Sequence, residues 1–192
     1  MDVNRLSPSG RTALYDASMR GSADLCAALI AAGADVDLAE TTCQRPLHGA
    51  ATFNHVAIID LLLAAGADPD TVEFSHGTPL CVAADEGHAD VVARLLAANA
   101  DPNVGNRDGL APLHLACGSG NPDIVAQLLD AGVDLLIRDR FQRTALHVAC
   151  QRGSAQVVAL VCPVHARCMS VSGWKGGGGW CWCLVVVAPC CE

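Results

Sequence analysis

Every 33 residues this chain returns to the same four-residue phrase. From Thr12 the equivalent positions are Arg45, Thr78, Ala111 and Thr144, and the phrases read TALY, RPLH, TPLC, APLH and TALH. Two further columns keep that step, Gly21, Asn54, Gly87, Gly120 and Gly153, then Gly33, Gly66, Asn99 and Gly132. Registers in phase without an insertion define a tandem repeat. No other feature constrains the fold as much, because each unit of such an array buries its apolar face only against its neighbours. About five units are present, above the roughly three that a stack of this kind needs.

The stretch Asp68 to Asp101 shows what one unit contains. Thr78 is a helix cap, and Pro79 at the first helical position gives up an N–H that would have no partner there. A short helix follows with Leu80, Ala83 and Ala84 on one face, and Gly87 breaks it. A second helix starts near His88, with Asp90 in its first turn, where a carboxylate favours the helix dipole; Asp24 and Asp123 hold the same place. Val91, Val92, Leu95 and Leu96 recur at helical spacing as an apolar stripe. The column of Gly66, Asn99 and Gly132 marks a helix end that needs left-handed backbone, which Gly tolerates best and Asn next. An Ala-Asp-x-Asp/Asn turn comes next, as in Ala67 to Asp70, and then about eight variable residues before the following cap. That is enough for a hairpin-like finger projecting from the stack. The chain is 52% apolar but only 4% aromatic, so the core must be built from Ala, Leu, Val and Ile, which suits closely approaching helices.

The pattern T-P-L-H-x-A-A-x-x-G-H, a Val/Leu-rich helix and G-A-D-x-N resembles that of ankyrin repeats. The resemblance covers residues 2–162 and is clearest in Thr78 to Asp101 and Ala111 to Asp134. It implies an all-α ankyrin-repeat solenoid of stacked helix-turn-helix units with projecting hairpin-like loops. The array occupies residues 1–162, with units starting near 12, 45, 78, 111 and 144. Asp2-Val3-Asn4 falls in phase with Asp35-Val36-Asp37, so the chain opens on the tail of a unit, and Pro163 interrupts the last one. The expectation is a partial array whose ends lack polar capping units. Residues 163–192 share nothing with the repeats and hold all three Trp, the only Lys and a run of four glycines. They read as a disordered or non-native tail, with a short partner-binding tail or a metal-binding one as weaker readings.

Several functional classes are disfavoured. A net charge of −8 argues against a general nucleic-acid binder, which needs a basic face. The start, MDVNRLSPSG, has no secretory pattern. The apolar stretch Trp180 to Pro189 is far shorter than the ~20 residues of a membrane helix. Cys26, Cys43, Cys81, Cys117 and Cys150 read as small buried thiols of a reducing compartment, so the expected location is cytoplasmic or nuclear. No nucleotide loop, H-E-x-x-H or G-x-S-x-G is found, so neither catalysis nor a cofactor is expected. Cys162, His165, Cys168, Cys181 and Cys183 supply enough ligands for zinc, but their spacing fits no familiar pairing, and Cys190-Cys191-Glu192 is not a lipidation ending. For His48, His114 and His147 the resemblance implies hydrogen bonds that tie neighbouring units; His55 and His88 stand at second-helix starts as expected caps, and His76 and His165 have no assignment.

The remaining place for function is the surface. In arrays that this chain resembles, partners touch the finger residues before each cap and two exposed positions of each first helix. Carried over by column, the first-helix positions are Met19 and Arg20, Thr52 and Phe53, Asp85 and Glu86, Gly118 and Ser119, and Gln151 and Arg152. The candidate contact residues are Arg20, Phe53, Phe74, Glu86, Arg107, Leu110, Arg140, Phe141, Arg143 and Arg152. Exposed aromatics beside arginines have hot-spot composition, and packing of Phe74 and Phe141 against adjacent fingers is the competing reading. Arg138, Arg140, Arg143 and Arg152 gather at one end, so an acidic segment of a partner is expected to meet it. The function read from this is a monomeric scaffold or adaptor that binds a protein and catalyses nothing. Two alternatives are a substrate receptor of ubiquitin ligases of the ankyrin and SOCS-box type, here without its adaptor box, and a metal- or redox-responsive Cys-rich tail.

Overall fold

The computed structural model describes residues 2–73 and 75–162. Paired helices follow the repeat: α1 (Ala13–Arg20) and α2 (Ala23–Ala31), α3 (Pro46–Thr52) and α4 (Val56–Ala64), α5 (Pro79–Glu86) and α6 (Ala89–Ala97), α7 (Pro112–Ser119) and α8 (Pro122–Asp130), then α9 (Ala145–Arg152). A last helical stretch, α10, covers residues 155–162. The first helices α1, α3, α5, α7 and α9 stack on one another in one layer, and α2, α4, α6 and α8 stack in a second. The expected all-α solenoid is present, and among the described residues the only β feature is an isolated bridge between Glu73 and Gly77.

Local chemistry sets the helix ends. Thr12 Oγ1 accepts from the Tyr15 amide at 3.0 Å, and Thr78 Oγ1 accepts from the Cys81 amide at 3.2 Å. At the helix stops, Asn54 (φ 57°) and Asn99 (φ 63°) take the left-handed conformation that glycines take in the other units, as the columns predict.

Packing explains the composition. The column Leu14, Leu47, Leu80, Leu113 and Leu146 is at most 3% exposed, and beside it Ala17, Ala50, Ala83, Ala116 and Ala149 are at most 2% exposed. Alanine at this second column lets successive first helices approach closely. In the other layer Ile58, Val91, Ile124 and Val157 are buried, whereas their counterpart Leu25 in the first unit is 49% exposed because no neighbour among the described residues covers that side of it.

Three hydrogen-bond ladders tie unit to unit. In the first, the fourth residue of each phrase reaches the end of the next finger: the Tyr15 hydroxyl bonds the Gln44 side chain, His48 Nε2 the Gly77 carbonyl at 3.1 Å, and His114 Nε2 the Arg143 carbonyl at 3.1 Å. The Cys81 thiol takes this place in the third unit, with the Leu110 carbonyl at the end of the next finger 3.9 Å away and the Val104 carbonyl before that finger nearer, at 3.4 Å. His48 Nδ1 accepts from the Arg45 amide at 3.3 Å, so Nε2 carries the proton and is the donor to Gly77. In the second, His55 and His88 donate from Nε2 to the Met19 and Thr52 carbonyls of the preceding unit at 3.2 and 3.1 Å. They begin α4 and α6, but their side chains make no cap bond, so the capping role expected of them is replaced by a tie between units. In the third, the amides of Asp35, Asp68, Asp101 and Asp134 donate to the side chains of Asn4, Asp37, Asp70 and Asn103 at 2.7 to 3.2 Å.

His147 departs from its column. It is exposed, and its Nδ1 meets Thr144 of its own cap at 2.8 Å. The carbonyl it would reach at the same step, at position 176, lies outside the described residues. The cysteines also divide: Cys26, Cys81 and Cys117 are buried free thiols and Cys43 is a half-buried one, whereas Cys150 is half-buried and disulfide-bonded, so it is not the free thiol expected of it. For Cys117 burial pushes the thiol pKa up to about 12, which makes it an inert core residue. Residues 163–192, including His165, Cys168, Cys181 and Cys183 of the zinc reading, are outside the described residues. Among the described residues no cluster of three metal-ligating side chains is found, and no helix is long and apolar enough to cross a membrane.

Candidate functional site

Each finger is a short hairpin closed by a backbone bond from the amide of its first residue to the carbonyl of its fifth, from Ser7 to Arg11, Glu40 to Gln44, Glu73 to Gly77, Asn106 to Leu110 and Asp139 to Arg143, at 2.8 to 3.1 Å, and in four of them the amides of Gly10, Cys43, Gly109 and Gln142 donate back to the first carbonyl at 2.8 to 3.0 Å. In the last four fingers the side chain of the first residue also turns inward and accepts from amides of its own finger, and in the first finger the exposed Ser7 hydroxyl accepts from the Arg11 amide at 3.1 Å. Glu40 takes the Thr42 amide at 2.8 Å, Glu73 the Ser75 amide at 2.9 Å, Asn106 the Asp108 and Leu110 amides at 3.0 and 3.1 Å, and Asp139 the Phe141 and Arg143 amides at 2.8 and 2.9 Å. This column keeps the 33-residue step but holds Ser, Glu, Glu, Asn and Asp. Its common property is an acceptor oxygen, not a residue type, so matching by identity passes over it.

Three of these residues are buried carboxylates, Glu40 at 8%, Glu73 at 2% and Asp139 at 2% exposure. Burial by itself raises their pKa values, but the hydrogen bonds converging on the charged form outweigh it and hold all three below the ordinary carboxylate value. The second, third and fifth fingers are therefore pinned by ionised groups, which hold the amides of their tips in place.

The fifth finger is the most elaborate. Arg143 forks onto Asp139, Nε to Oδ2 at 2.8 Å and Nη2 to Oδ2 at 2.7 Å, and its Nη1 donates to Gln151 Oε1 at 2.8 Å. Arg140 reaches back to the fourth finger, with its amide on the Asp108 carbonyl at 2.8 Å and its Nη1 on Asp108 Oδ1 at 2.7 Å. Between these two cations stands Phe141, 61% exposed, its ring centre 4.7 Å from the Arg140 guanidinium and 5.0 Å from that of Arg143. Phe141 thus packs on arginines of its own finger, not on an adjacent finger.

A groove of about 670 Å³ opens beside this finger. The first helices α5, α7 and α9 supply Asp85, His114, Leu115, Gly118, Ser119, Val148, Gln151 and Arg152, and the fingers supply Asn106, Leu110 and Arg143. Its volume is that of an ordinary ligand site, although it is a cleft between repeats and not an enclosed cavity. Nothing in it pairs a nucleophile with a base. The buried His114 is held below the ordinary imidazole pKa, chiefly by desolvation.

The family model for ankyrin repeats (3 copies) matches residues 1–73, 47–139 and 80–172. The chain belongs to the ankyrin-repeat family. A comparison with curated proteins finds no match. Proteins built of ankyrin repeats are generally protein–protein interaction modules and typically non-enzymatic scaffolds.

The candidate contact residues of this ankyrin-repeat protein fall into separate places. Leu110, Arg143 and Arg152 line the groove. Leu110, Arg143, Arg140 and Phe141 border a smaller adjoining cleft with Asp108 and Asp139. Arg20, Glu86 and Arg107 are exposed and stand apart from both clefts, and Phe53, 49% exposed, stacks on His55 with ring centres 6.2 Å apart. Phe74 lies outside the described residues. Asp108, Asn106, Leu115 and Val148 contribute to these clefts without having been singled out, because no one unit contains them all.

Proposed function

We propose that this ankyrin-repeat protein is a non-catalytic scaffold or adaptor that binds a protein partner through its fingers and first helices, at the end carrying Arg140, Phe141, Arg143 and Arg152. The observation that supports this reading most is Phe141, held exposed between two guanidiniums on a finger whose backbone amides, from Asp139 to Arg143, are all hydrogen-bonded. Exposed apolar rings flanked by Arg are costly to leave in water and are typical anchors of interfaces. A pinned finger also loses little conformational entropy on binding. Arg152, exposed and without a partner among the described residues, favours an acidic stretch in the partner. A monomer in the cytoplasm or nucleus completes the proposal; the free buried thiols Cys26, Cys81 and Cys117 fit a reducing compartment, and the disulfide at Cys150 is the observation against it.

The test is affinity capture with the full chain and with a Phe141→Ala/Arg152→Ala variant, the eluates being compared by mass spectrometry. Arg143 is left alone because it also holds the buried Asp139. A protein retained by the wild type and lost on the variant, with unchanged helix content by circular dichroism, is the expected result. Identical captured sets would sink the reading.

A further inference from the structure

The groove exists because of two small residues. At the outward positions of the first helix the other units carry Met19 and Arg20, Thr52 and Phe53, Asp85 and Glu86, and Gln151 and Arg152, whereas the fourth carries Gly118 and Ser119. A Cβ built on Gly118 meets only the Val148 side chain, at 3.8 Å, so the missing side chain leaves open space above an apolar floor.

The walls of this space differ in sign. Towards the third unit stands Asp85, an exposed carboxylate without an ion pair among the described residues. Towards the fifth unit stand Arg143, already committed to Asp139 and Gln151, and Arg152, which is exposed and unpaired among the described residues. Between them Leu110, Leu115 and Val148 give apolar surface. A ligand that satisfies all three features is apolar and bulky in the middle and anionic on the fifth-unit side only, because a carboxylate on the other side would face Asp85.

From this geometry we infer that the cleft over Gly118 is the anchor pocket of the surface proposed above, and that its occupant is a peptide segment of a partner protein carrying one bulky apolar side chain with an acidic residue within a few positions of it. The inference rests on that protein-binding reading and adds the anchor residue and the direction of the charge. The apolar side chain displaces water from the floor formed by Leu115 and Val148, and the neighbouring carboxylate pairs with Arg152. Phe141 flanks the segment where it leaves the pocket.

A displayed library of random dodecapeptides, selected on the full-length chain, tests this. The selected peptides should share a bulky apolar residue next to Asp or Glu. The best of them should then lose about tenfold or more in affinity for Gly118→Met, which restores the bulk present at Met19, and little for Gly118→Ser. Met is a better helix former than Gly, so the filled variant should melt no lower than the wild type, which separates loss of the pocket from loss of the fold. Arg152→Glu should weaken the peptide more than it weakens the same peptide with its acidic residue amidated. Selection of no peptide, or of basic peptides, would overturn the inference. Peptides that bind Gly118→Met unchanged but lose affinity for Phe141→Ala would also overturn it while leaving the protein-binding surface in place. Indifference to all of these variants would remove both.

Discussion

Inside the stack, one step of 33 residues carries Leu14 to Leu47, Leu80, Leu113 and Leu146; on the outer face of the same helices it carries Arg20 to Phe53, Glu86, Ser119 and Arg152. The two columns lie six residues apart and have opposite rules. An inner side chain packs against its own image one unit along, so its size is set by both neighbours and a change is felt twice. An outer side chain meets water, and nothing in the array specifies it. Uniformity therefore reports structure in this protein, and the irregular positions are where binding is free to evolve.

The comparison breaks if inner and outer columns respond alike to truncation. Leu80→Ala, in the middle of the stack, should lower unfolding free energy by about 2–5 kcal/mol, whereas Leu25→Ala, 49% exposed at the first unit, should cost less than about 1 kcal/mol; urea denaturation checks both. Equal losses would mean that the first unit is covered by something not described here.

The finger carboxylates lie between the two extremes, since they are buried but serve the outer face. Glu73→Ala leaves amides of a finger tip without an acceptor and should cost about 1–3 kcal/mol. The pH dependence has a definite sign. Glu40, Glu73 and Asp139 have folded pKa values below their unfolded ones, so their contribution is complete above the ordinary carboxylate range, 3.8 for Asp and 4.5 for Glu, and is lost as pH falls through the folded values. His48 and His114 are also depressed, mainly by burial, so an earlier loss begins as pH drops below 6.5, where the unfolded chain binds protons first. Thermal melts from pH 8 to pH 3 should therefore fall in two stages, and Glu73→Gln should flatten the second.

A smaller effect sharpens the rule for inner columns. Ala111 is the one cap in a column of Thr and Arg, it is 1% exposed, and the Nδ1 of His114 beside it is buried without a partner. In the fifth unit Thr144 supplies a hydroxyl to the equivalent His147 at 2.8 Å. Ala111→Thr should cap α7 and satisfy His114 together, raising stability by about 1 kcal/mol. Smallest of all is Arg152→Ala, which should change stability by no more than about 0.5 kcal/mol, as expected for an unpaired surface group. A large loss there would place Arg152 in the scaffold.

Much of this was legible in the chain. The caps at Thr12 and Thr78, the left-handed stops at Asn54 and Asn99 and the buried stripes follow from local backbone needs, which recur whenever the residue does. The bases of the fingers were hidden because Ser7, Glu40, Glu73, Asn106 and Asp139 share only an acceptor oxygen. Local rules alone make His55 and His88 caps, because each stands at a helix start, yet both bond the preceding unit instead. Which bond such a residue makes depends on how near the preceding unit lies, and His55 meets the carbonyl of Met19, 36 residues earlier.

The sequence by itself determined the repeat, its helices, their ends and the all-α stack, since those are set by hydrophobic periodicity and backbone chemistry within one unit. Only the tertiary structure decided which candidate residues lie side by side. It drew Leu110, Arg143 and Arg152 to one groove, left Arg20 and Phe53 elsewhere, and opened the space above Gly118. A groove lined by three successive units is a property of their stacking distance and of the side chains that each turns outward, and no 33-residue unit contains that information.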